Sequence, residues 1–146
     1  MKLTIVAAAT LMLTSMSAPV LADDLAATGD AAEGEKAFRQ CQSCHVVQDA
    51  DGNTLAGRAA KTGPNLYGVS GRTAGSVEDF RYSDLLLAAN EQGVVYDEAT
   101  FVAYLQDPTG YMQEVTGTGE RGKMSFRVRK EEDAVNLYAY IKSLSE

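Results

Sequence analysis

Both cysteines and the only histidine of this 146-residue chain fall within five residues, in "RQCQSCHVVQD" at 39–49. Cys41, Cys44 and His45 are therefore all of its thiol and imidazole donors, and three chemistries suit such a trio. A structural zinc site takes four Cys or His ligands and a catalytic one usually three. The whole chain supplies three, crowded into one short motif, so zinc would have to recruit carboxylates. A redox dithiol also uses Cys-x-x-Cys, normally at a helix N-terminus after a strand. Here the motif follows a helix-like stretch, and no βαβ pattern surrounds it. Cys-x-x-Cys-His has a third meaning, the covalent attachment of c-type haem. Two thiols three positions apart can form thioethers with the two vinyl groups, and the adjacent imidazole then coordinates the iron. Against that motif, the plain reading of His45 as an ordinary surface or core histidine carries little weight.

The N-terminus supports the third reading. Lys2 is followed by a mostly apolar run to Leu13 and then by "TSMSAPVLA", the order of a secretory signal peptide. Val20-Leu21-Ala22 places small residues where a signal peptidase cuts, which predicts cleavage after Ala22. An uncleaved anchor is the alternative, but Thr10, Thr14, Ser15, Ser17 and Pro19 interrupt a segment that would need about 20 apolar residues to span a bilayer. No other run is apolar enough, so an exported, periplasmic protein with one domain at 23–146 is expected. Export suits c-type haem, which is attached outside the bacterial cytoplasm. An oxidising compartment also permits disulfides, yet one joining Cys41 to Cys44 would close too small a loop to stabilise much.

A second axial ligand follows by elimination. With His45 used, no second histidine exists, and beyond residue 22 the only methionines are Met112 and Met124. Met112 lies in "TGYMQE", a short helical turn after Pro108. Met124 lies in the glycine-flanked "RGKMSF", which could bend over a haem face and is the better candidate. A loop methionine without haem would be a gap filler. His/Met ligation fills both axial sites and raises the reduction potential. Such an iron passes single electrons rather than transforming a substrate.

The elements that must position these residues are short. Asp30 followed by Glu33 resembles a capping box and starts a helix through Ala31, Ala32, Ala37 and Phe38 towards Cys41. Residues 46–70 read as loop, with the turn "TGPN" at 62–65. Ser83 to Asn90 reads as a helix stopped near Gly93. Asp97 caps "EATFVAYLQ", which Asp107-Pro108 ends. Segment 116–126 is too glycine-rich for a helix. Ala134, Leu137, Tyr138 and Ile141 recur at helical spacing in a last helix between Lys130 and Leu144. Nothing alternates convincingly as strand. An all-α chain with loops this long needs something bulky and apolar to organise it.

In order along the chain come "GEKAFRQCQSCH" at 34–45, "KTGPNLYGVSGR" at 61–72, "FRYSDL" at 80–85, "YLQDP" at 104–108, "GKMSF" at 122–126 and "AYIK" at 139–142. From about Gly29 onward this series resembles the class I c-type cytochromes, and among them the bacterial cytochrome c2 group, relatives of mitochondrial cytochrome c. The resemblance implies a small cytochrome c fold, short helices and long loops wrapped around one covalent haem c. It implies that the Pro64 carbonyl accepts from the His45 ring, that Arg72 and Tyr82 lie near a haem propionate, and that Tyr104 approaches the Met124 sulfur. Phe126 would cover the haem edge, and Gly34 with Phe38 would pack the first helix against Leu137 and Tyr140. Two departures stand out. Tyr96 occupies a place where the family commonly has tryptophan, and segments 46–60 and 113–121 are longer than in the mitochondrial protein.

The implied role is a monomeric one-electron carrier, not an enzyme, moving electrons from a cytochrome bc1-type complex to a photosynthetic reaction centre or terminal oxidase. Charge bears on those partners. The full chain sums to −7, and without residues 1–22 its 12 basic and 20 acidic side chains sum to −8. That balance argues against a nucleic-acid binder. Yet Arg121, Lys123, Arg127, Arg129 and Lys130 cluster around Met124, while acids gather at Asp23, Asp24, Asp30, Glu33 and Glu35 and again at Glu131, Glu132 and Asp133. A dipolar protein that docks through this basic patch is expected.

Overall fold

Four helix starts are written in side-chain caps. In the computed structural model, which describes residues 25–146, the helices are α1 (Ala31–Phe38), α2 (Asp84–Glu91), α3 (Glu98–Gln106), α4 (Pro108–Thr116) and α5 (Glu131–Ser143). The expected leader, residues 1–22, and its cleavage site lie outside the described residues. Ser83 accepts from the Leu86 N–H and Asp97 from the Thr100 N–H, as their positions predict. Asp107 takes a non-helical backbone before Pro108, ending α3. Its carboxylate then accepts from the Gly110 N–H, with Pro108 at the first turn of α4. The expected turn around Met112 is thus a full nine-residue helix.

The start of α1 is only half a capping box. Asp30 Oδ1 accepts from the Ala32 and Glu33 N–H groups at 2.8 and 3.1 Å. The Asp30 N–H does not turn to Glu33. It donates 2.8 Å to Asn136 Oδ1 on α5, and Glu33 pairs with Lys36 instead. The two helices meet backbone to backbone at this crossing. A Cβ on Gly34 would overlap the Asn136 carbonyl and lie 2.7 Å from Tyr140 Cβ. Phe38 and Tyr140 pack with ring centroids 5.6 Å apart, beside buried Leu137. Gly34→Ala is therefore expected to cost about 3 kcal/mol by overpacking, read as a lower urea midpoint. An unchanged midpoint would mean that the crossing can open without penalty.

The expectation of no strand is corrected. Within the segment read as loop, β1 (Val46–Gln48) and β2 (Thr54–Gly57) pair antiparallel, Val46 opposite Gly57 and Gln48 opposite Thr54, with an irregularity between Val47 and Gln48. Strands of three and four residues are too short to show alternation. The hairpin is closed by Asp49, whose carboxylate accepts from the N–H groups of Asp51 and Asn53 and from the Asn53 side chain. Apart from an isolated antiparallel bridge between Thr73 and Val95, the remaining regular elements of the described residues are helices joined by long loops. Phe38, Val47, Leu85, Phe101, Leu137, Tyr138 and Ile141 belong to one buried cluster that joins α1, β1, α2, α3 and α5. Among the described residues no helix is long and apolar enough to cross a membrane.

Candidate functional site

The Cys-x-x-Cys-His motif forms one helical turn just beyond α1. The N–H of Cys41 donates to Phe38 O, and those of Cys44 and His45 both donate to Cys41 O, at 3.1 and 2.9 Å. Residues three and four apart on such a turn share a face, which puts both sulfurs and the imidazole on one side. The segment after the hairpin locks the turn in place. The Gly63 N–H donates to Cys44 O and the Leu66 N–H to Val46 O. Asn65 fastens this segment to β1, accepting from the Gln48 N–H and donating 2.7 Å to Gln48 O. Sequence reading marked Asn65 only as a turn residue; its place in "TGPN" was the available signal.

This lock orients the imidazole. His45 Nδ1 lies 2.9 Å from Pro64 O. A carbonyl can only accept, so Nδ1 carries the proton and Nε2 keeps a lone pair. Gly63 lies flat against the ring, where a Cβ would come within 2.6 Å of Nδ1 and 2.7 Å of Nε2. Burial lowers the His45 pKa, partly opposed by the Pro64 hydrogen bond, which keeps the imidazole neutral and able to coordinate. The Cys41 thiol is pushed up to about 11, by burial first and by Cys44 second. An activated thiol has a depressed pKa, and Cys41 is shifted the opposite way.

The motif opens onto a cavity of about 340 Å³. Every residue that the sequence assigned to the site lines it: Cys41, Cys44, His45, Pro64, Arg72, Tyr82, Tyr104 and Met124. Leu66, Val69, Leu86, Phe101, Leu105, Leu137 and Ile141 supply apolar wall. Phe126 also lines it and is 43% exposed, which places it where the cavity meets solvent. Met112 is 0% exposed in the core and does not reach the cavity. Of the two methionines, only Met124 lines the cavity.

One side of the cavity is polar. Arg72 donates to Tyr67 O at 2.8 Å and Asn65 O at 3.0 Å, which fixes the guanidinium. Burial lowers its pKa, while the phenols of Tyr82 and Tyr96 act the other way. The Tyr82 oxygen accepts weakly from the Val77 N–H at 3.3 Å, leaving its own proton to donate. Tyr96 and Tyr104 pack edge to face, with centroids 5.6 Å apart. Burial raises both, Tyr104 to about 12 and Tyr96 well above its ordinary value. All three phenols therefore stay protonated at neutral pH. Tyr96, where the family commonly has tryptophan, does line the cavity.

The long segment before Met124 is tied down rather than looping away. α4 ends at Gly117 with φ +71°, and Gln113 donates through Nε2 to the carbonyls of Gly119 and Glu120. Of the five basic residues around Met124, all are exposed. Arg127 is paired with Asp107 at 2.7 Å. Lys123 donates to the backbone carbonyls of Arg81 and Tyr82, contacts that nothing local in the sequence announces.

The donor set fits a covalent haem better than a bare ion. Among the described residues no group of three or more His, Cys, Asp or Glu is placed to hold a metal by itself. Two thiols, a neutral imidazole and a thioether on an apolar-walled cavity are instead what a porphyrin requires.

No protein-family model matches the chain. Individual relatives do. Cytochrome c2 of Rhodovulum adriaticum is 59% identical over 118 residues, covering 80% of this chain and 94% of that one. Cytochrome c2 of Cereibacter sphaeroides is 51% identical over 123 residues, covering 83% and 85%. The crystal structure of cytochrome c2 from Rhodobacter sphaeroides superposes with a TM-score of 0.77 at 52% identity, covering 79% of this chain and 95% of that one. Ferric cytochrome c-550 from Paracoccus versutus gives 0.74 at 40% identity, covering 81% and 99%. The expected fold is therefore correct apart from its small hairpin, and the chain belongs to the cytochrome c2 group of class I c-type cytochromes, electron carriers with one covalent haem c.

Proposed function

We propose that this chain is exported to the periplasm and shuttles single electrons from a cytochrome bc1-type complex to a photosynthetic reaction centre or terminal oxidase. The observation that carries the reading is the single cavity lined at once by Cys41, Cys44, His45 and Met124. When bound, haem iron supplies the one-electron chemistry. Cys41 and Cys44 would hold the haem by thioethers, and His45 and Met124 would hold the iron. Pro64 fixes the imidazole and raises its basicity. Arg72, Tyr82 and Tyr96 are the donors available to propionates, and Phe126 screens the edge. With His45 and Met124 both holding it, the iron would offer no open site to a substrate. A redox titration of the purified protein with carbon monoxide as challenge tests this. One low-spin couple that ignores carbon monoxide at neutral pH supports a carrier. Ready binding would make the protein a gas-binding or peroxidatic haem protein.

Docking is expected to run through the basic residues around Met124. Arg127 and Lys123 are already engaged, so Arg121, Arg129 and Lys130 carry most of the available charge; none has an ion pair among the described residues. The second-order rate with an acidic partner should fall as salt rises. Reversing Arg121 and Arg129 to glutamate should slow it by about tenfold at low salt. Reversing Lys36 and Lys142 should change it little. Equal effects from the two pairs would remove the patch from the docking face.

A further inference from the structure

We propose that Lys123 is a latch, a positioning residue that closes the Met124 strap across the cavity. The strap runs from Gly117 to Val128, and its attachments are lopsided. Towards α3 and α4 it is fastened several times. The Gly122 N–H donates to Thr109 Oγ1 at 3.3 Å, Gln113 Nε2 donates to Glu120 O at 2.9 Å, and the Val128 N–H donates to Leu105 O at 2.8 Å. Arg127 also pairs with Asp107.

Towards the other rim there is one tie. Among the described residues, the only hydrogen bonds from the strap to any part of the chain before α3 come from Lys123. Its Nζ donates 2.7 Å to Arg81 O and 3.0 Å to Tyr82 O. Those carbonyls belong to the segment leading into α2, where Phe80, Tyr82 and Ser83 line the cavity. Lys123 and Met124 line it too. The residue next to the sulfur thus bridges the two rims.

Charge assistance makes an ammonium-to-carbonyl bond stronger than a neutral one. Two acceptors on successive residues also define a direction, which a surface charge waiting for a partner does not need. Lys123 is exposed, and water competes for its protons, so the latch has a modest strength. When it lets go, the strap is still held at α3 and α4 and can lift on that side as on a hinge. The inference rests on the proposed ligation of iron by Met124.

Imidazole binding to the ferric holoprotein measures how readily Met124 leaves. Lys123→Ala and Lys123→Gln should each raise imidazole affinity about five- to tenfold, the size expected when one charge-assisted hydrogen bond is lost. Lys123→Arg, which keeps donors within reach of both carbonyls, should recover most of the parent affinity. Arg81→Ala removes a neighbouring positive charge but keeps its carbonyl, and should leave the affinity unchanged. Parent-like affinity in both neutral variants overturns the latch, as does an equal rise in Arg81→Ala. Met124→Ala separates the two claims, because if it leaves imidazole affinity unchanged the ligation assignment is wrong, whatever the Lys123 variants do. Should the neutral variants fail to mature, nitrogen-15 NMR of the parent decides. A Lys123 ammonium that exchanges with water more slowly than that of Lys61 supports the latch, and one that exchanges equally fast sinks it.

Discussion

Replacing Cys41 and Cys44 together with alanine is expected to leave a chain that neither retains haem nor unfolds cooperatively. The cavity is bounded by side chains from the Cys-x-x-Cys-His turn, α2, α3, α5 and the Met124 strap. Enclosed core cavities cost about 24 cal/mol per Å³, so a space of about 340 Å³ would cost at most roughly 8 kcal/mol, less where water enters at its open edge. The whole stability of a domain is about 5–15 kcal/mol. A haem-free chain must therefore collapse the space, by giving up the positions of His45 and the strap, or remain loosely packed. Each single variant keeps one thioether and the His45 anchor, and should hold a reduced fraction of haem. Haem-to-protein ratio from the pyridine haemochrome, together with a urea transition followed by circular dichroism, reads both effects. A double variant without haem that shows the parent's helicity and a cooperative transition would contradict the claim that the cofactor completes this core.

Local chemistry was legible in the sequence, and long-range chemistry was not. The caps at Asp30 and Asp97 and the Asp107-Pro108 break act within a few residues, so they could be read directly, and α1 and α3 begin, and α3 ends, where they say. The Cys-x-x-Cys-His turn is equally local, since its spacing alone puts three donors on one face. The hairpin escaped because a three-residue strand has no period, and its closure depends on Asp49 folding back on Asn53. The Asn136 cap on Asp30 spans 106 positions, and the Lys123 bonds span 41 and 42. Contacts of that separation leave no pattern in a window of sequence. Lys123 shows the consequence. Counted along the chain it is one more charge in a basic run, whereas in three dimensions its protons are committed to backbone carbonyls. Tyr96 is a middle case, placed by resemblance and seen in the structure to be a protonated phenol on the cavity wall.

Met124→Ala and Met112→Ala should fail in opposite ways. The Met124 side chain is partly exposed and lines the same cavity as His45, Tyr104 and Phe126. Removing its sulfur takes away the proposed iron ligand with little loss of packing. The weak sulfur-to-iron absorption at the red end of the oxidised spectrum should vanish, and carbon monoxide should bind the reduced protein. The potential should fall by on the order of 0.1 V, a fraction of the roughly 0.8 V that axial ligands span. The urea midpoint should move little. Met112 is 0% exposed on α4 and belongs to the buried core. Truncating it leaves a hole in packed side chains, at a cost of about 3 kcal/mol, so its urea midpoint should drop clearly. Its spectrum, potential and indifference to carbon monoxide should match the parent, because nothing on the cavity wall has changed. Spectroscopy and denaturation on the same two proteins therefore cross over. If Met112→Ala instead loses the sulfur-to-iron band while Met124→Ala keeps it, the axial ligand is Met112, and α4 must rotate to bring it to the iron.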